Sequence, residues 1–191
     1  MLSIKGTETE KNLLKSFAGE SQARNRYTFF ASAAKKEGFK QVAEIFLATA
    51  EQEQAHAKRF FRFLEGGSVE INAVYPAGLI GSTAENLQAA ADGEHEEWSE
   101  LYPCFAEVAT TEGFKEVAGA YKVIAVAEQH HEAQYRKLFD LVASGNFFER
   151  EVETEWVCVK CGYVHKGKKA LKVCPACLHP QAYFKALNMI F

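Results

Sequence analysis

Four helix-forming stretches of this chain carry apolar stripes, and each stripe is broken near its middle by acidic residues on the side that should face a core. Read with alternating steps of four and three, one stripe is Val42, Phe46, Thr49, Glu53, His56, Phe60 and Phe63. A later one is Leu87, Ala90, Glu94, Glu97, Leu101, Cys104, Val108 and Thr111. The last is Val117, Tyr121, Ile124, Glu128, His131, Tyr135, Leu138 and Val142, and in the first Leu13, Glu20, Tyr27 and Ala34 recur at seven. This spacing marks the buried face of a helix, and residues at i and i+3 project together. Five carboxylates are thereby driven into one small interior, where each ionised group costs several kcal/mol unless something compensates it. Two divalent cations turn that repulsion into coordination. The stripes therefore predict a two-metal site built from Glu20, Glu53, His56, Glu94, Glu128 and His131, the two-Glu, two Glu-x-x-His set of dimetal carboxylate bundles.

Local signals place these stripes on helices. Thr7 with Glu10 and Ser82 with Glu85 have capping-box spacing, and Gly38, Gly66-Gly67, Gly113 and Gly145 stand where helices should stop. The expected helices cover 8–37, 39–65, 83–112 and 114–144, with a kink in the third from Gly93 and Pro103. Short links join the first pair and the last pair. The longer 66–82 stretch can run the length of a bundle, which predicts an all-α, ferritin-like four-helix bundle with one long crossover. An internal repeat supports two equivalent hairpins. Glu37-Gly-Phe-Lys-Gln-Val-Ala returns as Glu112-Gly-Phe-Lys-Glu-Val-Ala at a shift of 75, and Glu53-Gln-Ala-His56 returns as Glu128-Gln-His-His131 at the same shift. Gly19-Glu20 returns as Gly93-Glu94 at a shift of 74.

Three further groups belong to this bundle. Glu97 exceeds the symmetric ligand set; it is either a ligand recruited when two Fe(II) are oxidised, exchanging with His56, or a permanent base beside the ligands. Tyr27 and its repeat counterpart Tyr102 are either hydrogen-bond donors to the carboxylate ligands or plain core aromatics. Cys104 is expected as an inert buried thiol, while His95 and His130 point off the stripe toward the surface.

The last part of the chain is chemically different. All 25 Asp and Glu precede Trp156, and six of the 22 Lys and Arg follow it, so residues 1–155 carry 16 − 25 = −9 and residues 156–191 carry +6. Cys158-x-x-Cys161 and Cys174-x-x-Cys177 lie here, and this doubled spacing predicts one tetrahedral four-thiolate site. A piece this small needs the metal to stay folded. Four sulfurs suit iron or zinc, and His165 and His179 compete poorly with them. The expected division is a bundle over 1–147, a linker over 148–155 with alternating acids, and a small metal-bound β module over 156–191. Six lysines on a zinc ribbon would suit a nucleic-acid binder, but that leaves the inward ligands of the bundle unexplained.

With both parts in view, the chain resembles the rubrerythrins over essentially its whole length. The residues that carry the resemblance are Gly-Glu20-Ser-Gln-Ala-Arg-Asn-Arg-Tyr27, Glu53-x-x-His56, Gly-Glu94-x-x-Glu97, Glu128-x-x-His131 and the rubredoxin-like Cys-x-x-Cys-Gly-Tyr and Cys-Pro-x-Cys knuckles. One departure is Leu178, where many rubredoxin knuckles have Gly; it is expected to alter the hydrogen bonds of the second turn to sulfur. The resemblance implies a non-haem di-iron peroxidase of oxidative-stress defence that reduces hydrogen peroxide to water. It implies two irons held by Glu20, Glu53, His56, Glu94, Glu97, Glu128 and His131, with Glu97 and His56 exchanging, and a third iron held by Cys158, Cys161, Cys174 and Cys177; zinc can substitute in either site. Electrons would enter through the four-cysteine iron from a rubredoxin or an NAD(P)H-linked reductase. The alternatives are a ferritin-like iron oxidase or store, which makes the cysteines superfluous, and a zinc-ribbon binding module.

Other expectations concern location and assembly. No apolar run is long enough for a membrane span, and the N-terminal residues lack the apolar core of an export signal, so a cytoplasmic protein without membrane or nucleic-acid partners is expected. His131 lies 13 residues before Ser144, which puts the bundle site about 20 Å from the end of the last helix. A head-to-tail homodimer would bring one chain's cysteine site beside the other's bundle site.

Overall fold

The computed structural model describes residues 2–187. Its helices are α1 (Glu8–Glu37), α2 (Lys40–Phe61), α3 (Thr83–Glu96), α4 (Tyr102–Thr111) and α5 (Lys115–Ala143), with a π-helical segment, Glu97–Leu101, fusing α3 to α4. The expected second helix ends four residues early, at Phe61. Capping explains the starts. The Thr7 hydroxyl accepts from Glu10 N–H, and Ser82 and Glu85 form a reciprocal capping box. Gly38 and Gly113 both turn the chain at φ 90°, a left-handed conformation that costs a side-chain-bearing residue. α1 packs on α2, and α3 with α4 packs on α5. The crossover, 62–82, runs between the hairpins without regular structure.

The repeat is visible as crossed contacts. Glu37, at the end of α1, accepts from Thr83 N–H at the start of α3 (3.1 Å). Glu112, just past α4, accepts from Thr9 N–H (2.8 Å) and Glu8 N–H (3.1 Å) at the start of α1. Each hairpin thus places an anion at the positive N-terminus of the other's first helix.

The π segment corrects the expected third stripe. Its marker is the Tyr102 N–H bonded to Glu97 C=O, an i to i−5 bond that inserts one extra residue into the turn. The irregularity thus lies between Gly93 and Pro103 rather than at either. Beyond it the buried positions are Tyr102, Ala106 and Ala109, one or two residues later than the unbroken stripe requires. Leu101 and Cys104 turn outward, so Cys104 is an exposed thiol and not a buried one.

Two apolar layers enclose the carboxylate level. Tyr27, Phe30, Phe46, Leu87, Tyr135 and Leu138 lie on one side, and Leu13, Phe60, Tyr102, Tyr121 and Ile124 on the other. The C-terminal module is a three-stranded antiparallel sheet, order β2-β1-β3, of β1 (Glu149–Cys158), β2 (Val164–Lys169) and β3 (Phe184–Ala186). Most of the expected 148–155 linker is therefore strand. Its alternating acids face lysines across the ladder, Glu149 to Lys169 at 2.8 Å and Glu153 to Lys166 at 3.8 Å. Trp156, Phe184 and Ala186 form the module's core beside Cys158 and Cys174. The module sits on the α1–α2 turn, where Phe39 meets Phe147 and Phe148 at 5.2 and 6.1 Å between ring centroids.

Candidate metal centres

Six of the predicted ligands meet in the middle of the bundle. Glu20 comes from α1, Glu53 and His56 from α2, Glu94 from α3, and Glu128 and His131 from α5. They form two overlapping groups, Glu20, Glu53, His56, Glu128 and Glu53, Glu94, Glu128, His131, each with ligand atoms within 4.8 Å of one another. Glu53 and Glu128 belong to both, the position of bridging carboxylates between two cations.

The polar atoms of this site converge on shared points. His131 Nδ1 lies 2.7 Å from a Glu128 oxygen and 3.2 Å from a Glu53 oxygen. His56 Nδ1 lies 2.9 Å from the other Glu128 oxygen. Yet both Glu128 oxygens, Glu20 Oε2, Glu53 Oε1, Glu94 Oε2 and His131 Nδ1 are buried without a hydrogen bond. Close atoms whose lone pairs miss each other and are sealed from water are arranged for cations between them. The donor set, carboxylate oxygens with two imidazoles, suits divalent first-row metals.

Protonation in the metal-free chain tells the same story. Burial, reinforced by neighbouring carboxylates, holds the Glu20 carboxyl well above its usual range, and burial beside Glu53 takes Glu94 up to about 8. His56 is buried, which opposes its charge, but the Glu128 and Glu53 carboxylates beside it push it up to about 10. His131 moves the same way through Glu128, Glu53 and Glu94. Against its own burial, Glu53 is drawn down to about 2 by the two imidazoles. Protons stand where cations would, and metal binding must displace them.

The surrounding residues fix the ligands. Tyr102 donates to Glu20 at 2.6 Å, and Tyr27 donates to Glu94. Each tyrosine therefore serves the opposite hairpin's carboxylate, and both are hydrogen-bond donors. Gln52, which sequence reasoning did not single out, holds His131 through Nε2 at 3.0 Å and leaves Nδ1 for the metal side. His95 lies at the surface, its Nδ1 3.1 Å from Glu132, which also accepts from Trp98 Nε1 at 2.6 Å. His130 is exposed too.

Glu97 is in neither ligand group. Its half-buried carboxylate faces a chamber beside α1, with Oε1 3.9 Å from where a Cβ on Gly19 would sit. The arrangement is therefore His56 in and Glu97 out. One signal of the π segment stands in the sequence: the repeat shift changes from 74 at Glu94 to 75 by Glu112, which records the inserted residue.

In the C-terminal module Cys158, Cys161, Cys174 and Cys177 bring their sulfurs together. Cys158 Sγ lies 3.7 Å from Cys177 Sγ, and Cys161 Sγ lies 3.6 Å from Cys174 Sγ. A disulfide requires about 2.05 Å, whereas a metal–sulfur tetrahedron with bonds of about 2.3 Å has edges near 3.8 Å. His165 and His179 stay outside this group. Leu178 takes φ 60° where Gly162 takes φ 78°. Its N–H bonds Cys174 C=O at 2.9 Å, matching Gly162 N–H to Cys158 C=O at 2.8 Å. His179 N–H reaches the Cys177 sulfur as Tyr163 N–H reaches that of Cys161. The expected change in the second turn's hydrogen bonds is absent; Leu178 takes up the left-handed conformation instead. Cys174 is opposed by burial, but amide N–H groups of Cys177 and Ala176 bring its thiol down to about 7.

No helix among the described residues is long and apolar enough to cross a membrane. The sequence profile described as rubrerythrin matches residues 11–139, and that described as the rubrerythrin rubredoxin-like domain matches residues 156–185. The chain is 63% identical to a rubrerythrin of Porphyromonas gingivalis over 186 residues, covering 97% of this chain and 93% of that one. It is 52% identical to a rubrerythrin of Nitratidesulfovibrio vulgaris over 189 residues, covering 99% of each. Among solved structures, fully reduced, all-ferrous nigerythrin superposes with a TM-score of 0.63 at 29% identity, over 96% of this chain and 91% of that one. Symerythrin from Cyanophora paradoxa shares the fold, with a TM-score of 0.63 at 21% identity over 75% of this chain and 89% of that one. A ferritin-like bundle with a two-metal carboxylate centre, joined to a four-cysteine module, places this chain in the rubrerythrin family.

Proposed function

We propose that the chain is a cytoplasmic peroxidase of oxidative-stress defence that holds two irons in the bundle and one among the cysteines. The observation that carries this is the pairing of a sealed two-metal carboxylate site with a four-sulfur site in one chain. An iron oxidase or store needs only the first and a zinc ribbon only the second. When bound, two ferrous ions supply the electron pair of the reaction, H2O2 + 2 H⁺ + 2 e⁻ → 2 H2O, and a four-thiolate iron restores electrons singly.

The chain's own groups set the conditions for this chemistry. Tyr27 and Tyr102 hold Glu94 and Glu20 in place by donated hydrogen bonds, so these two carboxylates keep their orientation. Glu53 and Glu128, common to both ligand groups, would help hold both metals. His56 lies within a ligand group and Glu97 outside both; with iron bound, Glu97 would exchange with His56 and supply a fifth carboxylate to offset the charge gained on oxidation. The apolar layers above and below the site exclude bulk water.

The electron route involves two copies of the chain. The sheet module packs at the α1–α2 end of its own bundle, about 20 Å from His131 by helix rise. A head-to-tail dimer would set the basic sheet module, +3 over residues 149–191, against the acidic bundle, −6 over residues 1–148, of a partner. Exposed Val74, Leu79 and Ile80 of the crossover offer apolar surface for it. A rubredoxin or an NAD(P)H-linked reductase is the expected donor. The test is stopped-flow absorbance of the fully reduced, iron-loaded protein with one equivalent of hydrogen peroxide or dioxygen. Faster oxidation by peroxide, followed by colour from the four-sulfur iron, is expected; faster oxidation by dioxygen would favour the iron-oxidase alternative.

A further inference from the structure

Resting on the peroxidase reading above, we propose that Arg26 is a substrate-binding residue that selects peroxide over dioxygen. It would do so from the wall of the chamber beside Glu97, where hydrogen peroxide is held between the Arg26 guanidinium and the Glu97 carboxylate before it reaches the metals. The chamber has a volume of about 350 Å³ and lies between α1, the π segment and the crossover. The crossover is strapped over it, with Tyr75 Oη donating to Lys15 C=O at 2.7 Å and Gln22 Nε2 donating to Pro76 C=O at 3.2 Å.

The polar lining of this chamber is unpaired in a complementary way. Arg26 makes no hydrogen bond or ion pair with any described residue, and its Nε is buried. Lys15, the other cation of the lining, is drawn off by Asn12 and Glu8. Glu97 accepts no hydrogen bond from a described residue; burial and the neighbouring Glu94, Glu128 and Glu53 raise its carboxyl well above the usual range, and the Arg26 charge acts against that rise. Arg26 Nη2 reaches across to α3, 3.8 Å from where a Cβ on Gly93 would sit. The buried Arg26 Nε left without a partner is costly unless something bonds it.

Hydrogen peroxide suits that gap because it both accepts and donates. One oxygen takes an Arg26 N–H, and the O–H at the other end donates to Glu97. Dioxygen has no proton to give and is a poor acceptor, so a site built to bond an O–H gains little from it. The Arg26 position belongs to the Gly-Glu20-Ser-Gln-Ala-Arg-Asn-Arg-Tyr27 run, in which Glu20 and Tyr27 serve the metal site and Arg26 does not.

Two measurements on the full chain test this. In the iron-loaded, reduced protein, Arg26→Leu should lower the ratio of the peroxide to the dioxygen oxidation rate about tenfold, the worth of one charged hydrogen bond, and Arg26→Lys should recover most of it. In the zinc-loaded, ¹⁵N-labelled protein, which is redox-inert in the bundle, the Arg26 Nε–H resonance should shift saturably with hydrogen peroxide and stay still under dioxygen. Circular dichroism and metal content identify a variant that has not folded, in which case the resonance decides. A wild-type preference for peroxide that survives in Arg26→Leu, or a resonance that does not move, overturns the role of Arg26 alone. A wild type with no preference for peroxide overturns the peroxidase reading beneath it.

Discussion

The hairpin of α1 and α2 and the hairpin of α3 to α5 place equivalent groups in equivalent positions, and they part in one stretch. Glu37 and Glu112 hold each other's helix starts, and Tyr27 and Tyr102 hold each other's carboxylates. From Glu20 to Tyr27 the chain advances seven residues, but from Glu94 to Tyr102 it advances eight. The extra residue is absorbed as the π segment. At the position where that segment begins the second hairpin has Glu97, while the first has Ala23, three residues past Glu20. The near-symmetric pair of hairpins supplies both ligand groups; the broken symmetry adds a fifth carboxylate and a chamber on one side. On the proposed function, binding belongs to what the hairpins share, and reactivity to what they do not.

The largest expected effect falls on the shared part. Glu53→Ala removes a carboxylate common to both ligand groups and should abolish both bundle metals while leaving the four-cysteine metal, which metal analysis per chain will show. Next comes the part that differs. Deleting Ser99 should restore an unbroken α-helix with the spacing of the first hairpin. The product should fold and keep its two bundle metals yet lose at least tenfold in its rate with peroxide, measured by stopped-flow. A deletion variant that loses its metals would show that the π segment serves binding after all.

The pH dependence of the metal-free chain gives an intermediate effect. His56, raised from 6.5 to about 10, contributes stability that is full below 6.5 and lost as pH rises through 10. Glu94, raised from 4.5 to about 8, contributes stability that is full below 4.5 and lost as pH rises through 8. Both act in one direction, so the thermal midpoint of the metal-free protein should fall between pH 6.5 and 10. The metal-loaded protein, whose protons have been displaced, should not follow it. The smallest effect lies in the sheet module. Leu178→Gly should stabilise it by about 1 kcal/mol, because the left-handed conformation at φ 60° costs a residue with a Cβ roughly that much; chelator-induced unfolding reads the difference.

Much of this architecture was legible in the chain because burial leaves a period. The ligands Glu53, His56, Glu128 and His131 sit on uninterrupted helices, so a 4-3 spacing finds them, and the doubled Cys-x-x-Cys finds the sulfur site. The same spacing fails past Glu97, where one inserted residue puts Leu101 and Cys104 outside and Tyr102 and Ala106 inside. Gln52 and Arg26 escaped because they lie off the stripes and act only through what the fold brings near them. Glu149 to Glu155 looked like a solvated link since its cross-strand partners, Lys166 and Lys169, lie in another segment.

Electron delivery from sulfur to carboxylate site is the central claim, and metal exchange in the small module tests it most directly. Protein carrying iron in the bundle but zinc among Cys158, Cys161, Cys174 and Cys177 should react once, rapidly, with peroxide. It should then stop, while the all-iron protein continues to consume peroxide with a reduced one-electron donor. Equal steady consumption by both forms would contradict the account, since electrons would then reach the bundle without the four-sulfur site.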